Sequence, residues 1–213
     1  MAPTHDRHDW STVAAVAVIV IVIASVQLFL PDSVTIGPVW LIPAIELLGI
    51  PAGLLAMQWF PVETKESRIV VGAYLVLLVA ASVLNAALLF VGLLNGATES
   101  ADALLFAGFG VLVINVLSFA MVYWWLDAGG PVARLATTNP QRDFLFPQQG
   151  FESSDWQPEI TDYCFTAYTN IIAFSPTDTM PLTHRAKALF TIQSAVSLVT
   201  ILVTLSRAIN LID

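Results

Sequence analysis

Few residues of this chain are equipped for chemistry, and most of those lie in or beside apolar runs. Glu46 sits inside the run 39–60, and an ionisable group at membrane depth is a functional candidate by default. The alternative is that 39–60 does not cross and Glu46 lies near an interface, since Pro43, Gly49, Pro51 and Gly53 surround it. Asp178 falls in an irregular stretch, 173–181, that carries Pro176 and Pro181. A carboxylate there either draws cations to a pore mouth or caps a turn. Gln193, Ser197, Thr200 and Thr204 recur at i, i+4, i+7 and i+11, which places one polar stripe along a helix. The stripe faces either a water-filled pore or a neighbouring helix, where small hydroxyl residues pack and hydrogen-bond. His5 and His8, with Asp6 and Asp9, occupy a terminal tail, a place where order is rarely kept, so no metal site is expected. No nucleophile elbow, phosphate loop, H-E-x-x-H or paired cysteine occurs. An enzyme has no constellation to stand on, and no cofactor is expected.

The elements that must position these residues follow from composition. The chain has 213 residues, 57% of them hydrophobic and 11% charged, against about 25% charged in soluble domains. That excludes a soluble enzyme and leaves an integral membrane protein. Eight basic against sixteen acidic residues give a net charge of −8, which excludes a nucleic-acid footprint. The single cysteine, Cys164, rules out a disulfide within the chain. The run 10–30 is longer than the apolar part of a signal peptide and is followed by no A-x-A site, so it is expected to stay as a span.

A span needs about 20 apolar residues. Runs of that kind cover 10–30, 39–60 (weak, and kinked or re-entrant), 69–94, 103–126 and 183–209. The fourth ends in Tyr123-Trp124-Trp125, an interfacial aromatic belt. Residues 127–158 are polar and rich in Gly and Pro, a loop outside the hydrocarbon. The stretch 159–172 is too short to cross and suits a re-entrant helix. Irregular backbone at membrane depth is tolerated only where protein buries it or it lines a water-filled cavity. The expectation is an all-α membrane protein with four to five transmembrane helices plus a re-entrant helix and loop. Residues 1–102 carry the first helices. Residues 103–213 form a pore module: outer helix 103–126, polar loop 127–158, pore helix 159–172, constriction 173–178 and inner helix 183–209.

Residues 162–187 resemble the two-span pore module of tetrameric potassium channels. In that family an aromatic-rich pore helix runs into T-V-G-Y-G-D, then x-x-P-x-T, then a basic residue at the head of the inner helix. Asp178 matches the family's Asp, Pro181 and Thr183 follow at its spacing, and Lys187 takes the basic position. Tyr168 and Thr169 match the pore-helix aromatic and threonine. The filter is replaced by Ala173, Phe174, Ser175, Pro176 and Thr177. A potassium filter stacks backbone carbonyls around the ion and relies on glycines for its angles. Here glycine is missing, and Pro176 has a fixed φ and no N–H. The resemblance does not reach residues 1–100.

The resemblance implies a homotetramer, in contact with membrane lipid, that passes small cations with weak preference for potassium. A non-conducting scaffold and a solute carrier using Glu46 are the alternatives. A multi-pass cell-membrane protein is expected. Residues 127–181 hold seven acids and two bases, an electronegative mouth. With five spans, Arg7, Lys65, Arg68, Arg134, Arg142, Arg185 and Lys187 share one side and Arg207 is alone on the other. The positive-inside rule puts the loop in the cytoplasm, whereas the resemblance puts it outside.

Overall fold

The computed structural model of the chain describes residues 6–59, 64–94, 100–136, 141–150, 156–172 and 178–212. The first apolar run forms α1 (Asp6–Leu28), which ends ahead of Pro31, where a short 3-10 turn at Asp32–Val34 takes over. The second forms α2 (Leu41–Trp59). Pro51 lies inside it and removes one backbone donor, yet α2 is assigned as one helix rather than as two half-helices. The third run, free of proline, gives the longest helix, α3 (Lys65–Leu94). Ser100 caps α4 (Ala101–Leu126): its side chain accepts from the Ala103 N–H at 3.3 Å. At the other end Ala128, Gly129 and Gly130 have φ of 53°, 82° and 105°. That left-handed run, two-thirds glycine, turns the chain off the helix axis.

The described residues of the polar loop form short regular elements. After the turn at Asp127–Gly129 come α5 (Pro131–Ala136) and β1 (Phe144–Leu145), then a 3-10 turn at Pro147–Gly150. The short amphipathic run is α6 (Ile160–Ile172). Met180–Pro181 is β2, and His184–Ile212 is α7. The two strands pair antiparallel, with Phe144 opposite Pro181 and Leu145 opposite Met180.

Among the described residues three helical stretches are long and apolar enough to cross a membrane: Lys65–Leu94, Asp102–Gly129 and His184–Ser206. The apolar parts of α1 and α2 among the described residues, Thr12–Leu28 and Leu41–Gly53, are shorter. These support the helical membrane-protein class expected from the sequence, with three helices able to span among the described residues against the four to five expected. Helix α4 is the hub, with α1, α3, α6 and α7 all packed against it. One apolar core joins α1, α3 and α4 through Ile23, Leu78, Val111 and Ile114. A second, aromatic core holds Phe119, Tyr123, Phe144, Tyr163 and Phe190 where α4, β1, α6 and α7 meet.

Candidate pore-loop site

Helix α6 has thirteen residues, about 20 Å at 1.5 Å per residue, which is too short to cross and long enough to reach mid-depth. Its sequence alternates faces at helical spacing. Tyr163, Thr166, Ala167, Asn170 and Ile171 are buried, while Phe165, Tyr168 and Ile172 are exposed. The buried face lies on α4 and α7.

At its upper end the phenol of Tyr163 donates to Asp127 Oδ2 at 2.6 Å. Asp127 is fully buried, and its other oxygen accepts the backbone N–H groups of Asp143 at 2.8 Å and Phe144 at 3.2 Å. One carboxylate therefore ties the end of α4 to β1 and to α6. Arg134, 5% exposed, donates to the carbonyls of Trp124 at 2.7 Å and Asp127 at 3.0 Å. It supplies partners to carbonyls that a helix end leaves open. Burial pulls its guanidinium below the usual pKa, against the opposing pull of Tyr163 and Asp127.

At its lower end Asn170 Nδ2 donates to Gln193 Oε1 at 2.8 Å and to the Phe190 carbonyl at 3.2 Å. Gln193 Oε1 also accepts from the Tyr123 hydroxyl at 2.6 Å, and Gln193 Nε2 donates to the Ala167 carbonyl at 3.1 Å. Ser194 Oγ donates to Asn170 Oδ1 at 3.1 Å. Gln193 lies nine residues into α7, about 13 Å below its head. The end of α6 is therefore held deep, while Met180 returns to the level of β1.

The neck of the loop is closed by Asp143. Its carboxylate accepts from Arg185 Nε at 2.7 Å, Arg185 Nη2 at 2.6 Å and the Thr183 hydroxyl at 2.6 Å. The Asp143 carbonyl accepts the Leu182 N–H at 2.8 Å. Asp143 is fully buried, whereas the Arg185 side chain is 56% exposed. Burial alone would raise the Asp143 pKa. The hydrogen bonds from Arg185 and Thr183, with the Arg185 charge, outweigh it and hold the carboxyl below its ordinary value. Inside the loop Thr166 Oγ1 meets Thr179 Oγ1 at 3.1 Å.

The expected site residues separate into groups. The constriction residues Ala173, Phe174, Ser175, Pro176 and Thr177 lie outside the described residues. Asp178, at the far end of that segment, is exposed. Tyr168 is 52% exposed on the open face of α6, and Thr169 donates to the Thr166 carbonyl at 3.1 Å. The stripe Gln193, Ser197, Thr200 and Thr204 is buried inside the chain, so within one chain it faces neighbouring helices and not an open side. Ser197 Oγ meets Asn115 Oδ1 at 3.2 Å, and Thr200 Oγ1 donates to the Val196 carbonyl at 2.8 Å. Thr204 lies where a Cβ on Gly108 would come within 2.5 Å. The physical reason is that α4 carries matching small and polar positions along its contact with α7. Glu46 is likewise fully buried between helices.

Asp127, Arg134, Asp143 and Asn170 escaped the sequence reading. An acid one residue beyond Trp124-Trp125, after Leu126, and a lone arginine between two glycines and a polar loop are the traces that Asp127 and Arg134 leave in sequence. Among the described residues no group of His, Cys, Asp and Glu has metal-site geometry. Compared with family models, with curated proteins and with solved structures, the chain matches none.

Proposed function

We propose that this chain is an oligomeric, ion-channel-like integral protein of the cell membrane. In this reading α1 and α2 cross beside the three longer helices, and residues 160–178 of four copies surround a pore for small cations. The observation that supports it is the short helix α6, whose lower end Asn170 and Gln193 bond about 13 Å below the head of α7, between two helices long and apolar enough to span, with β1 and β2 paired at the neck. A single re-entrant loop encloses nothing, and closed cyclic symmetry is the usual remedy. Asp178 would ring the mouth of such a pore, with the acid excess of 127–181 behind it. Without glycine, and with Pro176, discrimination of potassium over sodium is weak.

A non-conducting scaffold is the second reading. It is favoured by the exposed face of α7, where Leu198, Leu202, Leu205 and Ile209 are apolar while the polar stripe is used up inside the chain. Cation flux into vesicles reconstituted with wild type and with Asp178→Asn separates the two. The channel reading expects monovalent cation flux that discriminates little between potassium and sodium. The variant's deficit should shrink as the Debye length falls from about 10 Å at 0.1 M salt to about 3 Å at 1 M. High potassium selectivity would refute the filter argument. A deficit indifferent to salt would refute the charge ring. Absence of flux for every ion tried, at varied voltage and pH, would leave the scaffold.

A further inference from the structure

We propose that Glu46 is a proton-binding site, a carboxylic acid carried in its neutral form inside the helix bundle. The side chain is fully buried where α2 packs on α1 and α3. From α1, Gln27 Nε2 donates to Glu46 Oε1 at 2.9 Å. From α3, the Tyr74 hydroxyl donates to the Glu46 backbone carbonyl at 2.8 Å. Gly49, three residues on, lets the Tyr74 ring lie flush with α2, because a Cβ there would sit 2.2 Å from the ring. Among the described residues Glu46 Oε2 has no hydrogen-bond partner.

No cation faces this carboxyl from any packed element. Along α1 the residues 10–28 carry no ionisable group, and Asp9, the nearest, lies eighteen residues before Gln27, about 27 Å along the axis. Helix α2 has no second ionisable residue. On α3 the nearby titratable group is Tyr74. Lys65 and Glu66 at its head are exposed, and the guanidinium of Arg68 donates to the Gly129 carbonyl. A buried carboxylate with no cation and one open oxygen is costly, and such a group takes up a proton instead. The proton belongs on Oε2, since Oε1 already accepts from Gln27. Its release would leave a charge that α1 and α3 cannot neutralise, so deprotonation requires water to enter or α2 to part from its neighbours.

Infrared spectra of the full chain in vesicles at neutral pH test this. The wild type should show the C=O stretch of a protonated carboxyl above the amide I band, moving down on exchange into D2O and lost in Glu46→Gln. A difference spectrum that shows loss of carboxylate stretches would overturn the proposal. Should Glu46→Gln fail to accumulate folded, glutamate labelled with 13C in the side-chain carboxyl replaces it. The other glutamates are Glu63, Glu66, Glu99, Glu152 and Glu159, none of them inside an apolar run of the sequence. A protonated C=O band that shifts with the label supports the site, and its absence removes it.

Discussion

Gln193 binds three groups on two other helices: the Tyr123 hydroxyl, the Asn170 amide and the Ala167 carbonyl. Leucine fills a similar volume and satisfies none of them. Leaving a buried donor or acceptor unmade costs about 1–3 kcal/mol, so Gln193→Leu should lower stability by at least that much in thermal unfolding of the detergent-solubilised protein. A pore-lining glutamine, by contrast, would change flux and leave stability alone. Asp143 makes a different prediction because it titrates. Its native pKa is depressed, so its contribution is present above the unfolded value of about 3.9 and is lost as pH falls through the lower native value. Asp143→Asn should therefore be less stable than wild type at neutral pH, by roughly 1–2 kcal/mol given that Arg185 is half exposed. The gap should close as melting is measured at successively lower pH below about 4. A gap that stays constant through acid would mean that the carboxylate charge contributes nothing.

Between elements, α4 and α7 approach each other closely at Gly108. A Cβ there would meet Thr204 Cγ2 at 2.5 Å and Oγ1 at 2.6 Å. Overpacking of this kind costs about 1–3 kcal/mol, and Gly108→Ala should lose that much. Thr204→Ala removes both obstructing atoms, so the double variant should recover most of the loss, a coupling that a double-mutant cycle reads directly. Simple addition of the two effects would mean that the helices do not touch there. The same contact shows what sequence can and cannot tell. The polar stripe on α7 is legible because its period belongs to one helix. Its direction is not, because the partners Asn115, Tyr123 and Gly108 lie 70 to 96 positions away and no local pattern names them. Helix α6 was legible to within one residue, since a short apolar run between prolines has few alternatives. The strands β1 and β2 were not, because two residues carry no alternation. Pro43, Gly49, Pro51 and Gly53 argue for a kinked or re-entrant 39–60, and α2 runs through Pro51 as one helix, with Tyr74 and Gln27 bonded to Glu46 ahead of it.

For the molecule as a whole, the open face of α6 is the feature that asks for company. Phe165, Tyr168 and Ile172 project from its exposed side, and on the channel reading the chain that follows α6 lies at membrane depth, where irregular backbone is tolerated only against protein or water. Lipid alone does not meet that need. Crosslinking in the membrane, or native mass of the purified protein, should therefore give a tetramer. A monomer by both methods would remove the channel reading, while leaving the proton on Glu46 untouched.

The loop is anchored on either side of its tip by residues outside the tip itself. Asn170 holds one flank through Gln193, and β2 with Thr179 holds the other through β1 and Thr166. The bonds that hold these flanks come from residues outside 173–177, and doubling the length of such a segment adds only about 0.6 kcal/mol of closure cost. On the channel reading, the frame and the sequence at its tip are therefore separable: a different quintet grafted at 173–177 should alter flux while the thermal stability of the detergent-solubilised protein stays near that of wild type.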